Sequence, residues 1–159
     1  MAPNTWDAIE TTGISWCDGL TDVPAAIGTA VGTGAANTAA MAASVACSSD
    51  AAAAVLAYAP AGTTAGQWFL PSKNELNAMC YYSRNLTASP DPTVSCYGVA
   101  GTTQNVTFAS GTYGFAGAGY WSSSQSSTNS AASQNLIDGS RRIGDPKFIP
   151  LRVRPVRAF

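Results

Sequence analysis

The chain predicts an α+β fold with two or three helices, a small, mainly antiparallel, twisted sheet and long loops. Alanine-rich segments with helical spacing fill residues 35–58. Ser72 and Glu75 stand at capping-box spacing ahead of an apolar stripe. From Tyr120 to Phe159, short apolar and polar alternations are separated by turn residues.

The 159 residues suffice for one domain, 1–159, with a real core and no need of a metal or cofactor to hold it. Charged residues make up 11%, against ~25% in an average globular protein. Ser, Thr, Asn, Gln and Gly take their place, and such a polar, weakly ionised surface suits secreted and cell-surface domains. No apolar run reaches membrane-spanning length, so no membrane insertion is expected. Met1-Ala2-Pro3-Asn4 is not a signal peptide; a secreted form would take its signal from a longer precursor.

The cysteines, Cys17, Cys47, Cys80 and Cys96, lack metal-site spacing, and the chain has no histidine, so no zinc site is expected. Four cysteines allow three pairings. Cys17–Cys47 with Cys80–Cys96 is favoured, since each would close a local loop, and it places the chain in an oxidising compartment. Four buried free thiols in a cytosolic protein is the alternative.

Residues 1–32 are irregular, with a short strand expected at Ile14–Cys17. A helix entered through Thr33 or Gly34 places Met41 and Val45 on one face. Ser48 or Ser49 then caps a second, which Pro60 and Gly62 end. Trp68–Leu70 has strand character and Pro71 ends it. The capped helix follows, with Leu76, Met79 and Cys80 as its inward stripe. Lys73, Asn74 and Glu75 read as a polar first turn rather than an active site.

Residues Arg84–Gly119 form a long excursion rich in Gly, Ser, Thr, Asn and Pro. It carries two glycosylation sequons, at Asn85 and Asn105, and Tyr113, Phe115 and Tyr120 are expected to pack back onto the domain. Strands follow at Tyr120–Ser124 and Ala132–Ile137, with Tyr120 and Trp121 in the core. Asp138-Gly139 predicts a two-residue hairpin turn, and a returning strand covers Ser140–Ile143. Gly144-Asp145-Pro146 turns the chain into a final strand, Ile149–Phe159, with an edge or bulge at Pro155.

Six of the eight Lys and Arg lie between Asp138 and Arg157, opposed there by two acids, in a chain of net charge −1. The C-terminal hairpins are therefore a positive surface on an otherwise acidic protein. The candidate binding residues are Ser126, Ser127, Asn129, Ser133, Asn135, Asp138, Ser140, Arg141, Arg142, Asp145, Lys147 and Phe148. Arg forks recognise carboxylate, sulfate or phosphate at two points, Ser and Asn supply adaptable hydrogen bonds, and Phe148 is an aromatic anchor. Arg152, Arg154 and Arg157 are expected to pair with acids such as Glu75 or with backbone carbonyls.

The segments WFLPSKNEL (68–76), YWSSSQ (120–125), QNLIDG (134–139) and LRVRPVRAF (151–159), in this order, resemble the Lcl C-terminal domain family of bacterial surface proteins. The resemblance runs from Thr29 to Phe159. It implies a C-type-lectin-like domain, related in architecture to the formylglycine-generating enzyme, with an adhesive, extracellular or cell-surface role and frequent trimerisation. Sulfated glycans are ligands in that family, and calcium is held by many lectin-like domains, although the dispersed acids here name no ligand set.

Family members open with a further strand ahead of the APNTW segment, which Met1 directly precedes here. The expectation is a domain lacking that strand, most simply by truncation, with a final edge open to a homo-oligomer or a strand-donating partner. The sequence also resembles the variable proteins that mutagenic retroelements diversify. Their mutable positions exclude Met, Trp, Gln, Lys and Glu, and between Asp138 and Leu151 only Lys147 falls outside the permitted set.

Enzymatic readings fare poorly. Without His there is no Ser-His-Asp or Cys-His site, no phosphate-binding glycine loop is present, and no cysteine follows residue 96 where formylglycine-generating enzymes place theirs. The acidic balance and absence of a known module argue against nucleic acid. Two readings remain: a non-enzymatic domain binding an anionic glycan or a protein, or a structural subunit of a filament, fibre or phage tail tip.

Overall fold

A computed structural model describes residues 1–17, 21–47, 50–83, 91–97 and 114–158. It shows a mixed α+β arrangement of four helices, α1 (Ile9–Thr12), α2 (Gly34–Ala43), α3 (Ala51–Ala57) and α4 (Lys73–Ser83). One antiparallel sheet orders β1 (Gly119–Ser127), β2 (Ser130–Asn135) and β3 (Arg141–Pro146) in sequence. Both expected disulfides, Cys17–Cys47 and Cys80–Cys96, are formed.

β1 lies between two cores because successive side chains on a strand point to opposite faces. Trp121 joins Trp16, Met41, Val55, Leu70 and Val153 on one side. Its neighbour Tyr120 joins Leu76, Met79, Phe115 and Leu136 on the other.

Helix α4 begins as its sequence dictates. The Ser72 N–H donates to Glu75 Oε2 at 2.6 Å, and the Glu75 N–H returns to Ser72 Oγ at 3.3 Å. Buried serines of β1 then fix this helix to the sheet. Ser124 Oγ accepts from the Lys73 N–H at 2.9 Å, and the Ser123 N–H donates to the Pro71 carbonyl at 2.8 Å. The other Glu75 oxygen accepts from the Gly32 N–H at 2.9 Å. Gly34 must be glycine here, since a Cβ would lie 2.4 Å from Glu75 Oε2 and 2.6 Å from the Leu70 carbonyl oxygen.

Several expectations need correction. Met41 is buried but Val45 is 90% exposed, because α2 stops at Ala43 and a 3₁₀ turn carries the chain to Cys47. Asp50 stands at the N-cap position of α3, and Ser48 and Ser49 lie outside the described residues, as do both sequons, Tyr113 and Phe159. No two-residue turn forms at Asp138-Gly139. Asn135 and Ser140 close a longer loop, the Asn135 N–H donating to the Ser140 carbonyl at 2.9 Å. Leu136, fully buried, draws this loop inward, and Gly139 takes the positive φ, 81°. Gly144-Asp145-Pro146 is not a turn but the end of β3. Between Ala131↔Asp145 and Ser133↔Arg142 the register admits one extra residue on β3, a bulge.

The final strand is not continuous either. Residues 151–156 touch three neighbours singly: Leu151 bridges Ile14, Arg152 bridges Tyr120 in parallel, and Val156 bridges Phe69. These bridges are also all that forms of the strands expected at Ile14–Cys17 and Trp68–Leu70. Pro150 and Pro155 lack the N–H that a ladder would need, and Arg154 turns fully inward. Its acid is Glu10, not Glu75. Arg154 Nε donates to Glu10 Oε2 at 2.9 Å and Nη2 to Oε1 at 2.5 Å, while Nη2 also reaches the Gly114 carbonyl at 2.7 Å. The same carboxylate accepts from the Tyr120 hydroxyl at 2.5 Å and from the Trp6 indole N–H at 3.2 Å. The Phe115 ring lies 4.4 Å beneath the guanidinium carbon.

Removing one partner of such a pair strands the other charge in the interior. Glu10→Gln is expected to cost about 3 kcal/mol in urea unfolding, and Glu10→Gln with Arg154→Met to cost less than the single change.

Candidate functional site

The sheet faces divide the predicted binding residues. Gly119 pairs with Asn135, Trp121 with Ser133, and Ser133 with Arg142, so these side chains share one face. The bulge in β3 returns Asp145 to it. There Ser133, Asn135, Arg142 and Asp145 line a depression of about 80 Å³ with Gly119 and Leu151. The Ser133 hydroxyl donates to Asp145 Oδ2, and Arg142 Nη1 lies 3.8 Å from Asp145 Oδ1. Asn135 Oδ1 accepts from the Ile137 N–H at 2.8 Å. A guanidinium fork, a carboxylate, an amide and a hydroxyl thus meet at one small opening. Such a set offers both donors and acceptors to a polar ligand.

Arg141 faces the other way. One residue along the strand, it donates to the Thr93 carbonyl and to Asn74 Oδ1, both at 2.6 Å, and burial lowers its pKa. It fastens β3 to the start of α4 and to the 91–97 loop, so it belongs to the frame. The sequence offered it as a ligand contact; these bonds give it a structural role.

Lys147, another candidate contact, is a correction, because it does not reach the surface. Its side chain is fully buried. The ammonium donates to the Thr21 carbonyl at 2.7 Å, the Thr128 carbonyl at 2.8 Å and Gln125 Oε1, 4.7 Å from the centre of the Trp16 ring. Gln125 Oε1 also accepts from the Val23 N–H at 2.8 Å, and its Nε2 donates to Asp22 at 2.6 Å. Lysine here clamps the 21–23 segment to the β1–β2 turn. Burial pulls its pKa down to about 8, opposed by the nearby Asp22.

The remaining positions lie at strand ends and in turns. Ser126 and Ser127, the last residues of β1, and Asn129 in the turn after it are exposed. Asp138 Oδ1 accepts from the Ser140 N–H at 2.8 Å and shapes the loop. Phe148 stands 62% exposed, alongside two apolar positions that the sequence reading passed over, Ile137 at 54% and Ile143 at 67%.

Among the described residues, no group of three or more His, Cys, Asp or Glu is placed to hold a metal ion. No helix in that set is long and apolar enough to cross a membrane. The paired cysteines fit an oxidising environment. Comparison with known proteins finds no matching family model, curated protein or solved structure.

The Lys147 value lies below the ordinary 10.5 of a lysine. Between about 8 and 10.5 the unfolded chain therefore holds a proton that the folded chain releases, and stability rises with pH. Tyr120, raised by burial and by Glu10, works in the opposite sense above pH 10. Urea unfolding from pH 8 to 10 should show a stabilisation that Lys147→Met lacks.

Proposed function

We propose that this chain is a non-enzymatic, extracellular ligand-binding or adhesion domain of the C-type-lectin-like kind. Its recognition surface is the solvent face of the β2–β3 hairpin and the turn that follows. The observation that carries this reading is the convergence of Ser133, Asn135, Arg142 and Asp145 on one depression. The hairpin around it also exposes Ile137, Ile143 and Phe148.

The motifs shared with the Lcl C-terminal family supply the frame in this reading. The 68–76 segment caps α4, the 120–125 segment fixes that helix to β1, and the 151–159 segment supplies Arg154. The side chains between them are those left to face a ligand. An exposed guanidinium beside a carboxylate and an amide suits a glycan carrying acidic groups or a polar protein epitope. An extracellular or cell-surface location, as part of a longer secreted protein, accompanies this reading.

A second reading has an observation in its favour. The exposed Ile137, Ile143 and Phe148 also suit contacts between copies, as in a trimer or in a subunit of a filament, fibre or phage tail tip. Light scattering separates the two: a monomer in dilute solution is expected for a receptor-binding domain, and a stable assembly for a structural subunit.

Screening on arrays of sulfated and carboxylated glycans and of surface proteins tests the first reading. Arg142→Ala and Phe148→Ala are each expected to weaken the captured ligand about tenfold, with binding to an acidic glycan falling as salt rises. Full binding by a folded Arg142→Ala, Phe148→Ala, Asn135→Ala variant would refute it.

A further inference from the structure

A different cleft, built from the N-terminal segment and the end of α3, carries chemistry that the hairpin does not use. Its volume is about 290 Å³, and its walls include Trp6, Asp7, Ala54, Ala57, Tyr58 and Pro60. The Trp6 and Tyr58 rings meet with centroids 5.5 Å apart at an interplanar angle of 75°. Tyr58 is backed in turn by Trp68, at 5.0 Å and 67°.

The corner is held in place from behind. The Trp6 indole N–H donates to Glu10 Oε2 at 3.2 Å and to the Val153 carbonyl at 3.1 Å, so this ring is anchored to the buried ion pair and resists rotation. Alanines of α3 leave space in front of the rings. Asp7 is exposed at the rim, and one of its oxygens, Oδ1, accepts from the Ile9 N–H at 2.9 Å.

The electrostatics of the cleft have one sign. Aromatic faces carry negative potential and so does the carboxylate, while among the described residues no Lys or Arg lines the cavity. The same aromatic row already hosts a cation at its far end, where the Arg157 guanidinium carbon stands 5.5 Å from the Trp68 ring centre. Aromatic rings set at an angle beside a carboxylate recognise organic ammonium groups.

We propose that this cleft is a second binding site, selective for a small organic cation of the quaternary ammonium class, with Trp6 and Tyr58 as its faces and Asp7 as counter-charge. The ligand enters ammonium first, its methyl groups against the rings and the alanines. The assignment does not depend on the hairpin surface, since no residue is shared between the two sites.

Choline and its uncharged carbon isostere 3,3-dimethylbutan-1-ol are the probes, titrated into the intact chain by calorimetry with the Trp6 indole resonance followed by NMR. Choline is expected to bind and to shift that resonance, with the isostere about tenfold weaker. Asp7→Asn retains an oxygen for the Ile9 N–H and so preserves the local turn. It is expected to weaken choline about fivefold with unchanged thermal unfolding. Equal affinity for the two probes overturns the proposal, as does choline affinity unchanged in Asp7→Asn. Absence of choline binding at concentrations on the order of 10 mM overturns it too, as does a neutral methyl pyranoside occupying the cleft in choline's place.

Discussion

One carboxylate, that of Glu10, organises this molecule. It sits in α1 near the start of the chain and is bound by Arg154 from the last segment, by Tyr120 from β1 and by Trp6 beside it. The remaining Arg154 donors reach Gly114 and Ala2. A buried ion pair gains little over a well-packed apolar pair, because desolvating two charges offsets most of their attraction. What it provides is specification. Three stretches remote in sequence must arrive in one geometry, or a charge is left in the interior without a partner. Satisfying every lone pair of Glu10 is how the fold tolerates a carboxylate at 3% exposure.

From that point the structure separates cations that hold the fold from one that faces solvent. Lys147 and Arg141 look like ligand contacts in the sequence, yet each is consumed by backbone carbonyls and an amide side chain. Arg142, one residue further along, is free of that duty because the pleat turns it to the other face. Adjacent arginines thus have opposite roles, and the difference comes from strand geometry alone. Arg141 and Lys147 tie the hairpin to α4, to the 91–97 loop and to the 21–23 segment.

The local features were the legible ones. The Ser72–Glu75 cap, the inward stripe of Leu76, Met79 and Cys80, both disulfides and the buried Tyr120 and Trp121 all follow from short-range chemistry. Illegible features needed knowledge of distant partners. Nothing near Arg154 in sequence indicates Glu10, and nothing near Lys147 indicates a ring of carbonyls from residues 21 and 128. The two-residue turn at Asp138-Gly139 failed because burial of Leu136 outweighs turn preference. Four of the candidate binding residues, Ser133, Asn135, Arg142 and Asp145, do come together, but their convergence depends on a bulge that no alternation of residue types reveals.

That bulge constrains how this surface can change over time. With one residue more on β3 than on β2 between the flanking pairs, Arg142 and Asp145 emerge on the same side. Deleting or adding a single position there would invert every side chain beyond it, carrying Asp145 away from Ser133 and dragging Lys147 out of its socket. Replacement of one exposed residue by another disturbs none of this. A change that keeps this hairpin intact is therefore an exchange of residue identity at fixed chain length.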